Sequence, residues 1–228
     1  MKLKIIFILF ATSFAMRSQE LNEEHLGYTQ SKGFEEYKGR LSVEAEDFHY
    51  KSNNGTPREW QIVSFDSIGL DQINPISKAL QTASGSVFIQ SIPDTRVTHE
   101  DPLIQGENFF PDPGTGGIVS YRVKINTPGK YFVWVSAFST GSEDNGLHVG
   151  LDGEWPETGA RIQWCQGKGS WQWSNAQRTD SNHCGEPGLI YLVVEKAGDH
   201  MISFSMREDG FKMDRWMITI DPTFVPKQ

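Results

Sequence analysis

Adjacent carboxylates are the first residues in this 228-residue chain that invite chemistry: Glu100 with Asp101, Glu143 with Asp144, and Glu208 with Asp209. Two carboxyls about 5 to 10 Å apart across a cleft hydrolyse a glycosidic bond. A polysaccharide lyase would instead use a base such as His99 beside a neutralising Arg96. Sequence spacing sets neither distance, and no nucleophile elbow, zinc motif or phosphate loop accompanies these residues. The rival chemistry is grip without reaction. The apolar C–H face of a sugar ring stacks on an aromatic plane, for which Trp171 is the candidate. Sugar hydroxyls would donate hydrogen bonds to Asp94, Asp144 and Glu208, accept them from Arg96 and Arg207, and do either with Asn145. An indole left in water is costly and so asks for a ligand. Each of these residues also has a plain structural use. Trp171 would then be a buried loop anchor, Glu143 to Asn145 a turn cap, and Arg207 to Asp209 local ion pairs worth little.

These side chains can cooperate only if the elements bring them together. From residue 41 onward, short alternating segments sit between turn signals, at residues 42–46, 85–92, 118–125, 130–138, 148–152, 160–164, 171–174, 189–195, 200–206 and 211–220. Residues 66–82 leave room for one short helix. The pattern predicts an all-β sandwich or barrel. Asn126-Thr127-Pro128-Gly129 is a turn, and the strands on either side of it are expected to form a hairpin. Trp134 and Trp216 lie within strands and are expected in the core; Trp155, Trp164 and Trp173 are expected to pack in loops or insertions. If each strand reverses direction, residues 93–117, 139–146, 166–170 and 207–210 all fall at one end, and the plain tight turns at the other. A long polar loop in a compact domain is usually functional.

Composition narrows the partners. The net charge of −8, with Lys and Arg scattered, argues against nucleic acid. Lys2 and Lys4 followed by an apolar run read as a secretory signal over residues 1–18, with an uncleaved anchor as the alternative. Residues 19–40 read as a polar arm or linker, and residues 41–228 as one domain. Secreted, periplasmic or cell-surface placement follows, with no membrane contact after signal removal. In an exported chain the two cysteines, Cys165 and Cys184, suggest a disulfide, with free thiols as the alternative.

Val43-Glu44-Ala45-Glu46-Asp47 resembles the opening strand of carbohydrate-binding modules of families 6 and 35. The likeness continues through Gly85-Ser86-Val87-Phe88-Ile89, Pro128-Gly129-Lys130-Tyr131-Phe132, Gly169-Ser170-Trp171, Ala197-Gly198-Asp199-His200 and Phe211-Lys212-Met213-Asp214-Arg215-Trp216. It spans about residues 41–221. The resemblance implies a galactose-binding-like jelly-roll β-sandwich of two antiparallel sheets, monomeric and binding a polysaccharide or oligosaccharide through loops at one end. It also implies a structural calcium held by Glu44, Glu46 and Asp214. Oxygen-only ligation suits that hard cation, and residues two apart in a strand share a face. It places Trp171 as the stacking ring and Lys212 where the family has asparagine, and a lysine there would favour an anionic sugar. The second strand offers Gln90 and Ser91 where the family has an aromatic. A glycoside hydrolase, a lyase or a protein-binding adhesion module are the alternatives.

Overall fold

The computed structural model describes residues 33–67 and 73–227; the expected signal over residues 1–18 and residues 19–32 of the expected arm lie outside them. Thirteen strands run through the described residues: β1 Phe34–Glu35, β2 Arg40–Glu44, β3 Tyr50–Ser52, β4 Glu59–Ser64, β5 Val87–Ile92, β6 Ile118–Ile125, β7 Gly129–Phe138, β8 Gly146–Leu151, β9 Ile162–Gln163, β10 Trp171–Ser174, β11 Tyr191–Val194, β12 Gly198–Met206 and β13 Lys212–Thr219. One α-helix, α1 Ile73–Thr82, interrupts them.

The strands form two sheets. One runs β1-β6-β12-β8-β9 with β3 also on β6, and the other runs β10-β7-β13-β5-β4 with β11 on β7 and β2 on β13. This is the all-β jelly-roll sandwich expected. Its pairings are antiparallel apart from β1, which runs parallel to β6. The alternation that marks β6 shows why. Val119, Tyr121, Val123 and Ile125 turn inward and are buried, while Arg122 and Lys124 turn outward. Tyr131, Val133, Val135 and Ala137 of β7 face them from the other sheet. At the centre Trp216 packs edge-on to Tyr121, with ring centroids 4.9 Å apart, and both are fully buried. Each such ring stabilises the sandwich by about 2–3 kcal/mol.

Three expectations change. The Asn126–Gly129 turn does not close a hairpin: β6 and β7 lie in opposite sheets, so the chain crosses the sandwich there. Tight-turn residues alone do not distinguish a hairpin from such an arch. The folded part also begins before Leu41. The Glu36 side chain is buried and accepts the backbone N–H groups of Asn126 at 2.8 Å and Thr127 at 2.9 Å, stitching residues 34–40 to the arch. Finally, β2 stops at Glu44, and Glu46 sits in a 3-10 turn, Ala45–Asp47, so the two do not share a strand face.

Cys165 and Cys184 are disulfide-bonded across 19 residues. In the chain-entropy model the closure stabilises by about 3 kcal/mol. It joins the loop before β10 to the loop before β11.

Candidate functional site

Strand direction brings the polar loops to one end, as the parity of the strands requires. There the Phe110 N–H donates to Arg207 O at 2.7 Å, the Asp209 N–H to Asn108 O at 3.1 Å, and the Gly169 N–H to Ser139 O at 2.8 Å. Asp94, Arg96, Asp144, Asn145, Arg207, Glu208 and Lys212 all belong to this end, and all except Asp94 are buried. Their polar groups mostly point at one another. The Asp144 carboxylate accepts Ser139 Oγ at 2.9 Å, Thr140 N at 2.9 Å, Thr140 Oγ1 at 2.8 Å and Gly141 N at 3.0 Å, so it shapes its own turn. Burial alone would raise this carboxyl, but the Lys212 ammonium and these N–H groups outweigh it and hold it below the usual range. Glu208 accepts the Asn145 N–H at 3.0 Å and pairs with Arg207. Its burial raises its carboxyl, against the pull of Arg207. The Asn145 carbonyl side chain accepts Gln163 Nε2 at 2.6 Å.

Two predicted ligand contacts are corrected. Trp171 presents no open ring. It is 5% exposed, wedged edge-on between Phe88 and Phe138 with centroids 5.5 Å from each, and its indole N–H donates to Ala79 O at 3.0 Å. Helix α1 lies over it, and its Ala79 carbonyl holds the ring in place. Lys212 is no free cation either. It is buried, donates to Gly210 O at 2.9 Å, and pairs with Asp144 at 3.4 Å.

The carboxylate pairs are also engaged. Asp209, which the sequence offers as one of a carboxylate pair or as part of weak local ion pairs, is the hub of this end. It is fully buried and accepts Arg58 Nη2 at 3.1 Å, Thr95 N at 2.8 Å and Thr95 Oγ1 at 2.7 Å. Glu143 accepts His99 Nδ1 at 3.1 Å, with Arg96 Nη2 at 3.6 Å. Burial pushes its carboxyl up, but hydrogen bonds from Ser142 and His99 and the Arg96 charge bring it below its ordinary value. A depression of about 200 Å³ beside this end is lined by Asn53, Thr56, Arg58, Glu59 and Pro93, with none of the three carboxylate pairs in its wall.

Below α1 the outer face of the seven-stranded sheet carries a different set. In register across β10, β7, β13 and β2 stand Trp173, Ser136, Arg215 and Glu44. At one strand spacing per step the row is about 14 Å long. Trp134 and Phe132 follow on β7, and Tyr191 stands opposite Phe132 on β11. These four rings are half-buried. Trp134 is therefore not in the core; β7 is apolar on both faces, which hid the side it presents. The Arg215 guanidinium lies 5.4 Å over Trp173, and the Lys130 ammonium 3.6 Å over Tyr191. Trp173 Nε1, Trp134 Nε1, Ser136 Oγ and Glu44 Oε2 are buried without a hydrogen-bond partner, and Ser136 as a whole is fully buried. An aromatic plane beside a hydroxyl, a guanidinium and a carboxylate is the composition a polar ring ligand needs.

Glu44, Glu46 and Asp214 sit at the edge of this face. Ser84 Oγ donates to Glu44 Oε1 at 3.0 Å, while the Ser84 N–H at 2.8 Å and Arg215 Nε at 3.1 Å occupy Asp214. Burial raises all three carboxyls, reinforced by neighbouring carboxylates at Glu44 and Glu46, and Glu46 reaches about 7. Among the described residues no three His, Cys, Asp or Glu side chains are arranged to hold a metal ion. The buried, unpartnered Oε2 atoms of Glu44 and Glu46 nevertheless suit a hard cation.

No family model matches the chain. Among solved structures it is similar to carbohydrate-binding modules. One is a family 35 module from Clostridium thermocellum, with a TM-score of 0.43 and 11% identity over 78% of this chain and 96% of that one. Another is the C-terminal family 6 module of LamC, a marine laminarinase from Zobellia galactanivorans, at 0.38 and 16% over 79% and 98%. Likeness this loose assigns no residue. The uncharacterized protein P23 of Formosa agariphila is 46% identical over 222 residues, which is 97% of this chain and 54% of that protein. The chain thus spans about half the length of the curated relative it matches.

Proposed function

We propose that this protein is a secreted, non-catalytic carbohydrate-binding protein that holds a polysaccharide on the outer face of its seven-stranded sheet. The observation that carries the reading is the register row Trp173, Ser136, Arg215 and Glu44, with Trp134 beside it. Sugar rings stack on the indoles, and the half-buried Arg215 and Glu44 of the row supply the polar groups for their hydroxyls. Arg215 and Lys130 lie over two of the rings and favour an anionic polymer, the preference that Lys212 cannot supply. No helix among the described residues is long and apolar enough to cross a membrane.

The test is affinity electrophoresis against plant, algal and host polysaccharides. Trp173→Ala is expected to weaken binding about 10-fold, the scale of one stacked aromatic contact. Trp171→Ala is expected to lower stability and leave affinity unchanged. Equal retardation of the parent and Trp173→Ala on every glycan that retards the parent would remove this face from binding. Polysaccharide turnover abolished by Glu143→Gln would replace the reading with catalysis at the His99–Glu143–Arg96 group.

We further propose a structural calcium bound by Glu44 or Glu46 together with backbone carbonyls, and by Asp214 if Arg215 releases it. Chelation is then expected to lower the melting temperature of the parent by several degrees and that of Glu46→Gln by less. An unchanged parent melting temperature in excess chelator rejects the ion.

A further inference from the structure

Beside the short edge strand β9 of the six-stranded sheet, β8 turns Leu147 and Val149 into the core and Gly146 and His148 to the opposite face, where both are also buried. Arginines flank both positions. Arg207 follows β12, whose last residue Met206 pairs with Leu147. Arg161 precedes β9 and donates its N–H to His148 Nδ1 at 3.0 Å. Arg178 is tied to Arg161 through its own N–H, 3.0 Å from Arg161 O.

The group is built in detail. Arg207 is 5% exposed, with its guanidinium 4.7 Å over the Phe109 ring. A Cβ at position 146 would come within 3.0 Å of Arg207 Cδ and 3.1 Å of Glu208 Oε2, so the pair lies close against the strand at Gly146. Arg161 holds a left-handed backbone, φ 58°, which a side chain of its kind rarely adopts; such strain gathers at functional positions.

Its charges do not balance. Glu208 pairs with Arg207, yet among the described residues no carboxylate lies within ion-pair distance of Arg161 or Arg178. The Nε atoms of both Arg207 and Arg161 are buried without a partner. Burial, followed by the Arg178 guanidinium, lowers the basicity of Arg161 against the pull of Glu208 and Asp180; at Arg207 burial acts first and outweighs Glu208, with Arg161 and Arg178 adding to it. His148 stays neutral and contributes no charge. In a chain of net charge −8, three guanidiniums stand here against the two carboxylates of Glu208 and Asp180, with two donors unfilled.

We propose that Arg161, Arg178 and Arg207 form a binding site for an oxyanion substituent of a polysaccharide, a sulfate ester or a carboxylate. Guanidinium forks match the paired oxygens of both groups. The anion site stands on its own geometry; the polymer as its carrier rests on the glycan-binding reading above.

The test compares the parent with Arg161→Gln/Arg178→Gln. Sodium sulfate at the ionic strength of a sodium chloride control is expected to raise the parent melting temperature by about 3 °C more than chloride does, and to lose that excess in the double variant. In affinity gels containing dextran sulfate, polygalacturonate or unmodified dextran, the double variant is expected to bind one charged polymer about 10-fold more weakly than the parent does. Retention on dextran should not change. Dextran sulfate and polygalacturonate separate the sulfate from the carboxylate. Equal sulfate shifts in the two proteins overturn the site. A sulfate shift confined to the parent, with no retardation by any polymer, supports the anion site and overturns the polysaccharide as its carrier.

Discussion

Asp209→Ala is expected to destabilise the protein by about 3–5 kcal/mol, the cost of stranding a buried charge. Asp209 is fully buried, and its carboxylate accepts Arg58 Nε at 3.3 Å and Nη2 at 3.1 Å as well as both polar hydrogens of Thr95. Removing it leaves the Arg58 guanidinium, itself 5% exposed, with Thr95 Oγ1 as its side-chain partner. The loop that begins at Pro93 loses its anchor at the same time. Urea unfolding should show the loss as a lowered midpoint. Most of the loss comes from the abandoned cation, so Asp209→Ala should cost at least about 1 kcal/mol less in an Arg58→Met background. Additive costs in that cycle would show that the carboxylate serves the Thr95 turn and that its pairing with Arg58 is incidental.

Asp209 also shows what the sequence could and could not reveal. Arg207-Glu208-Asp209-Gly210 reads as an exposed turn, because acidic and basic neighbours are usually solvated. Here the long loop of residues 93–117 folds over them, and only tertiary structure decides that. Loop parity, which needs only strand count and direction, placed Asp94, Arg96, Asp144, Asn145, Arg207 and Glu208 at one end, where the structure has them. It could not say whether they face solvent or each other.

The aromatic face was hidden for a related reason. Strand β7 reads Tyr131-Phe132-Val133-Trp134-Val135, apolar at every position, so alternation cannot assign its faces. Ser136 and Arg215, polar residues at outward positions, were the available signal. The fate of Trp171 turned on α1. A short helix was legible within residues 66–82, but not that its packing would bury Trp171 and leave Trp173 half-buried beneath it.

The same end of the sandwich carries the strongest expected acid sensitivity. His148 is fully buried; its Nε2 donates to Phe110 O at 3.3 Å, and its Nδ1 accepts the Arg161 N–H at 3.0 Å. Both nitrogens are committed in the neutral ring, so protonation would break the second bond and place a charge beside Arg207 and Arg161. Burial first, and those two arginines after it, push the imidazole from 6.5 down to about 3. The unfolded chain therefore takes up the proton first as pH falls. The contribution is complete above 6.5 and is lost progressively down to about 3. At about 1.4 kcal/mol per unit, the loss reaches about 3 kcal/mol at pH 4. Glu208, Glu44, Glu46 and Asp214, all raised by burial, work in the opposite direction, because acid relieves their buried charge. The total stability curve thus mixes opposing slopes, and a comparison with His148→Gln isolates the histidine. The glutamine amide can still donate and accept but cannot titrate. Between pH 7 and pH 4, urea unfolding should show the parent losing about 3 kcal/mol more than His148→Gln. Equal changes in the two proteins would mean that His148 opens to water before it is protonated, and the arginines around it would then be exposed as well.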